Sequence, residues 1–196
     1  MATYSSELET ILRSYIDSWG GGRDRLRDLL KNTSTGHRYS LLMNVRGSGI
    51  LSTWTGVHRG ANADDLGAIK YMLDNFSSNQ KYHVVKIQSV TKSTALHFAA
   101  GDGYTSIVNY LLSNFSQQQL YDLLKIQDMS GNTALHQAAI RKNVEVVQAI
   151  KSSVSSPLLI QLLNIKNKEG QTVTDIKPEL HNELHVLMGK VELLIM

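Results

Sequence analysis

The segment Thr94-Ala95-Leu96-His97-Phe98-Ala99-Ala100 recurs 39 residues later as Thr133-Ala134-Leu135-His136-Gln137-Ala138-Ala139. The same step back lands on Thr55, which opens Thr55-Gly56-Val57-His58-Arg59-Gly60-Ala61. The same step forward lands on Thr172, which opens Thr172-Val173-Thr174-Asp175-Ile176. A fixed period of this length marks a row of similar units. Each is too small to bury its apolar stripe alone, and a neighbour completes it.

The best-formed units, 91–129 and 130–168, read as three helical segments each. In the first of them these run from Thr94 to about Gly101, from Tyr104 to Ser113, and from Ser116 to about Lys125. Ile107, Val108, Leu111 and Leu112 share one side of the second segment, and Leu120, Leu123 and Leu124 one side of the third. That spacing is the helical one. In the next unit the third segment is expected to start at Ser156-Pro157, with serine as N-cap and proline at the first helical position.

Both ends depart from the pattern. Residues 5–19 predict an amphipathic helix from Leu8, Ile11, Leu12, Tyr15, Ile16 and Trp19, capped by Ser5 or Ser6 and ended by Gly20-Gly21-Gly22. Arg23 to Asn32 predicts a second helix. Tyr39-Ser40-Leu41-Leu42 compares with Tyr82-His83-Val84-Val85 and Tyr121-Asp122-Leu123-Leu124, so 8–50 reads as a first unit that has lost its threonine–histidine signature. At the other end Thr174 and Asp175 replace leucine and histidine, and Pro178 interrupts the helical pattern. Leu180, Leu184, Leu187, Val191 and Leu194 suggest a last helix. The apolar ending 191–196 is expected to pack on the preceding unit. Terminal units of an array are atypical because one face has no neighbour.

These segments resemble the Thr-Pro-Leu-His-x-Ala-Ala signature of ankyrin repeats, most closely over 94–139. The resemblance implies an all-α, ankyrin-type solenoid of about five stacked repeats: 8–50, 51–90, 91–129, 130–168 and 169–196. A common repeat has about 33 residues, so the surplus of roughly six is read as an extra short helix in each. Asp128 and Gly131 match the family's Asp-x-x-Gly turn between repeats, and Ser89 and Lys92 replace them one repeat earlier.

The resemblance also implies a non-enzymatic protein–protein interaction module. Its partner would meet a concave surface made by the turn tips and the first helix of each pair. Here the tips carry Leu51, Val90, Met129 and Lys168 at one recurring position, with Trp54 three residues beyond Leu51 and with Thr91, Ser93 and Asn132 nearby. Asp102 and Arg141 follow the first helices and could add polar contacts at the rim. An exposed apolar row ending in an aromatic suits a binding hot spot. The alternative is that these side chains fold back on their own turns. The family includes scaffolds, inhibitors, transcription regulators and effectors that bacteria or viruses deploy against host signalling, and the residues do not choose among them.

His58, His97 and His136 recur one per repeat, so they cannot converge on one ion. The resemblance gives this histidine a structural task, bridging the motif threonine and a neighbouring backbone carbonyl. No catalytic residue, metal or cofactor is expected.

Composition narrows the partner. The 20 Lys and Arg against 17 Asp and Glu are nearly balanced and no run of five like charges occurs, so nucleic acid is not expected. There is no Cys and no leader-like start, and no apolar run approaches a membrane span. An intracellular, cytoplasmic monomer is the expectation, with delivery into a host cell compatible with it. One rival is an enzyme or enzyme subunit in residues 1–50, where Arg23, Arg25, Arg27, His37, Arg38 and Arg46 could hold an anionic substrate. A second rival, a structural fragment of a larger repeat protein, fits the decayed end signatures poorly.

Overall fold

The computed structural model describes residues 2–17, 23–47 and 53–177. Among them are 13 helices and no strand. They come in threes: α1 (Ala2–Asp17), α2 (Arg23–Lys31) and α3 (Thr35–Asn44); α4 (Gly56–Asn62), α5 (Leu66–Leu73) and α6 (Ser78–Val85); α7 (Ala95–Asp102), α8 (Thr105–Leu112) and α9 (Gln117–Leu124); α10 (Ala134–Ile140), α11 (Val144–Ser153) and α12 (Ser156–Leu163). The short α13 (Val173–Ile176) follows. The all-α fold and the third helix in the surplus segment are as the sequence predicts.

Local chemistry starts the third helices. Ser77 and Ser116 cap α6 and α9 in reciprocal boxes with Gln80 and Gln119, and Ser34 accepts from the His37 amide at the start of α3. Each box satisfies two amides that a helix start otherwise leaves open. Asn75 and Asn114, both at φ 66°, turn the chain into these caps. Asparagine tolerates that left-handed region better than most residues.

Two starts differ from the sequence reading. Helix α1 already runs from Ala2, so Ser5 and Ser6 lie within it, and the Ser6 carbonyl accepts from Thr10 Oγ1 at 2.8 Å. Helix α12 has Ser155 at its N-cap position, one residue earlier than expected and without a side-chain capping bond, with Pro157 in its first turn. A proline is tolerated there because first-turn amides have no intrahelical acceptor. The expected Gly20–Gly22 helix end, Trp19 and the helix beyond Pro178 lie outside the described residues.

The chain forms two compact units, Met1–Ala99 and Ala100–Met196. In the first, α1 packs on α2 and α4, α2 and α4 both pack on α5, and α3 packs on α6. Leu8, Leu12 and Ile16 of α1 and Ile69, Met72 and Leu73 of α5 are almost fully buried. Full burial of such a side chain contributes about 1.5–3 kcal/mol. Helix α4 lies so close that a Cβ on Gly60 would sit 2.6 Å from Ile69 Cγ1. The Tyr15 hydroxyl donates to buried Asp65 Oδ2 at 3.1 Å, while Asp65 Oδ1 accepts the Ala68 amide and caps α5.

In the second unit α11 packs on α8 and α10, α10 packs on α13, and α9 on α12. Ile107, Val108 and Leu111 of α8 are fully buried, as are Val146 and Ile150 of α11. Side-chain amides tie successive helix groups together. Asn143 Nδ2 donates to the carbonyls of Ala100 and Gly101 at 2.9 and 2.7 Å. Gln117 donates to the Ser153 carbonyl and accepts from the Ser155 amide.

Candidate functional site

The repeated threonine and histidine build the frame for any surface here. At the start of α4, His58 Nδ1 accepts from the Thr55 amide at 3.1 Å and lies 2.8 Å from Thr55 Oγ1, while Oγ1 accepts the His58 amide. The other ring nitrogen, Nε2, reaches the Ser93 carbonyl at 3.3 Å. Thr133 and His136 repeat this at α10, with Nε2 on the Gln171 carbonyl at 3.3 Å. Thr94 and His97 repeat its local half at α7.

With Nδ1 accepting and Nε2 donating, the ring is held in its neutral tautomer. Burial pushes the His58 pKa down to about 4, opposed by the Ser93 carbonyl. It lowers that of His136 in the same way, opposed by Gln171. These are structural histidines, spent on backbone groups. Among the described residues no cluster of three or more His, Cys, Asp or Glu is arranged to hold a metal.

The turns between helix groups share one geometry. Ser89, Asp128 and Asn167 each donate their amide to the carbonyl of Ser93, Asn132 and Gln171, at 2.8–2.9 Å. Asp128 Oδ1 also accepts the Ser130 and Asn132 amides. The turn without the aspartate and glycine forms as well. Lys92 takes φ 58° where Gly131 and Gly170 take 77° and 78°. The hydroxyls of Ser89, Thr91 and Ser93 link across it at 2.8 and 3.1 Å.

Of the residues expected to meet a partner, Val90 and Met129 stand at the tips with 53% of their surface exposed. Thr91, Asp102, Arg141 and Lys168 are exposed, and Trp54 is partly so. Leu51 lies outside the described residues. Ser93 and Asn132 are both 8% exposed and take part in holding their turns. The Ser93 carbonyl is committed to His58, and Asn132 Oδ1 accepts from Asn167 Nδ2 at 3.1 Å.

Three residues outside that set are also exposed, wholly or in part. Phe98 of α7 is partly exposed and its ring lies 4.7 Å from that of Trp54. Its slot in the motif is the variable one, filled by Arg59, Phe98 and Gln137 in turn, and that variability was the available signal. Ile140 and Val144, 43% and 42% exposed, flank the turn from α10 to α11. Nothing in their local pattern separates them from core residues.

Arg25, Arg27, Arg38 and Arg46 are engaged separately, and the Arg23 side chain lies outside the described residues. Arg25 pairs with Glu7 at 3.0 Å, and Arg27 with Asp24 and Asp28. Arg38 is buried, with Nη1 on the Tyr71 carbonyl at 2.7 Å. Arg46 holds the carbonyls of Leu42, Met43 and Val45 at the end of α3. A cavity of about 150 Å³ does touch His37, but Arg13 is its only arginine. The described groups therefore do not converge on one anionic substrate.

A repeated helix group opened by a threonine–histidine capping box, with a tight turn between groups, defines a class: helical repeat proteins of the ankyrin type. A family model for ankyrin repeats, in three copies, matches residues 57–157. The chain belongs to the ankyrin-repeat family. No curated protein gives a match. Domains of this family are generally non-enzymatic modules for protein–protein interaction. No helix among the described residues is long and apolar enough to cross a membrane.

Proposed function

We propose that this chain is a non-enzymatic protein-binding module whose partner is met by the turn tips and the adjoining first helices. One observation carries the reading. Val90 and Met129 occupy the same turn position one repeat apart, and each keeps 53% of its surface exposed. A turn needs no large apolar side chain at its tip, because main-chain bonds hold it. Such side chains gain most when a partner removes them from water. Thr91 and Lys168 beside them, and Asp102 and Arg141 after α7 and α10, supply polar contacts. The framing helices are fixed by capping boxes, so little conformational entropy is lost on binding.

The test is affinity capture from cell lysate with wild type and with the combined variant Trp54→Ala, Val90→Ser, Met129→Ser, after circular dichroism shows both folded. A protein retained by wild type and lost by the variant supports the reading. Retention of the same proteins by both moves the binding surface away from the tips.

A further inference from the structure

The aromatic pair Trp54–Phe98 lies in a part of the sequence with an unusual charge distribution. Residues 29–63 and 75–101 contain no Asp or Glu, yet include Lys31, Arg38, Arg46, Arg59, Lys81, Lys86 and Lys92. Every carboxylate side chain of residues 1–99 falls in 7–28 or 64–74. The turns of the second unit differ, with Asp128 and Glu169 in them.

Hydrogen bonds link the neighbours of the pair to segments that carry exposed cations. Val90 and the exposed Lys92 share one turn, and the Val90 amide donates to Thr53 Oγ1 at 2.5 Å, next to Trp54. The Gly47 amide donates to the Trp54 carbonyl at 3.2 Å. Arg46 precedes Gly47, and its carbonyl accepts from exposed Arg13 Nη1 at 2.8 Å. One repeat on, the positions of Trp54 and Phe98 hold Ser93 and Gln137, so the aromatic pair is specific to this place.

We propose that the surface formed by Trp54, Phe98, Val90 and Lys92 binds an acidic peptide segment presenting one large apolar side chain. This rests on the turn-tip reading above and names its partner's chemistry. The apolar side chain covers the two rings, where desolvation yields most of the affinity. The acidic flanks meet Lys92, which speeds encounter and rejects basic segments. A nucleic acid is the weaker fit, because its phosphates need a row of exposed cations, and here Arg38 and Lys81 are buried.

The experiment is selection from a displayed library of random peptides on the full chain, then anisotropy titration of the enriched peptides. Phe98→Ala, Lys92→Glu and Met129→Ser are the comparison variants. Enriched peptides should carry Phe, Trp or Leu flanked by Asp or Glu. They should bind Phe98→Ala about tenfold more weakly or worse and lose affinity with added salt. Lys92→Glu changes an exposed residue and leaves the core intact, and it should weaken the same peptides. The proposal is overturned by basic or neutral winners, by no enrichment, by indifference to both Phe98→Ala and Lys92→Glu, or by displacement with oligothymidine. If binding fails only in Met129→Ser, the acidic-peptide proposal falls and the turn-tip reading stands. If it is unchanged in every variant, both fall.

Discussion

His58 of α4 reaches the carbonyl of Ser93, 35 residues away, through Nε2 at 3.3 Å. The same ring closes its own helix start through Nδ1. One side chain thus satisfies a local amide and a distant carbonyl, both buried. His58→Ala should leave both unpaired, at about 1–3 kcal/mol each. Thermal melting should show a loss of several degrees, at about 2–4 °C per kcal/mol for a chain of this size. Zinc should bind neither protein tightly. Stoichiometric zinc binding to wild type that disappears in the variant would overturn the structural role.

The same ring sets a pH dependence. Burial holds the folded pKa of His58 at about 4, against about 6.5 for a free histidine. Between those values the unfolded chain binds a proton that the folded chain refuses. The contribution is therefore complete above pH ~6.5 and is lost as pH falls toward ~4, on the order of 3 kcal/mol for His58. His136 acts in the same direction. Urea titrations from pH 7.5 down to 4.5 should show falling stability, with a shallower fall in His58→Ala. A flat profile would mean the ring is not held neutral.

Two turns offer a matched comparison. Lys92 adopts φ 58° where Gly131 adopts 77°. A side chain in that region costs roughly 1–2 kcal/mol, and the Ser89–Thr91–Ser93 hydroxyls offset it. Lys92→Gly should stabilise by about 0.5–1 kcal/mol once the added freedom of glycine in the unfolded chain is counted. Gly131→Ala should do the reverse and more strongly, since its Cβ would meet the Lys168 amide nitrogen at 2.7 Å. Chemical denaturation reads both, and a loss of stability in Lys92→Gly would refute the strain.

Glycine within a helix usually costs about 1 kcal/mol against alanine, so Gly60→Ala in α4 ought to stabilise on propensity alone. Packing predicts the opposite sign. The new methyl would lie 2.6 Å from Ile69 Cγ1 and 3.4 Å from the Tyr15 hydroxyl. Overpacking of that kind costs about 1–3 kcal/mol, so a net loss is expected. The double variant Gly60→Ala, Ile69→Ala should be less destabilised than the sum of the single changes, because one substitution makes room for the other.

These cases separate what local sequence can carry from what neighbours decide. The threonine–histidine starts were legible because the pair recurs at a three-residue spacing. The third helix was legible from its apolar side. Lys92 was not, because a lysine gives no turn signal and the hydroxyls that hold the turn act on one another in space. Ser93 and Asn132 read as surface residues because turns are usually wet. Their burial comes from His58 and Asn167, each 35 residues away. Asp175 was legible as a terminal substitute. Its carboxylate closes the box on Thr172 at 2.7 and 2.8 Å.

The tips allow a last test that separates surface from core. Had Val90 and Met129 folded onto their own turns, replacing them by serine would expose nothing new and would remove packing. At 53% exposure, each change should stay within about 0.5 kcal/mol, as surface substitutions usually do. Leu135→Ala, at a site only 2% exposed, should cost about 2–5 kcal/mol in the same urea titrations. Stability near wild type in Val90→Ser, Met129→Ser, together with loss of a retained partner, would place these side chains in binding. A loss of stability approaching that of Leu135→Ala would return them to the fold.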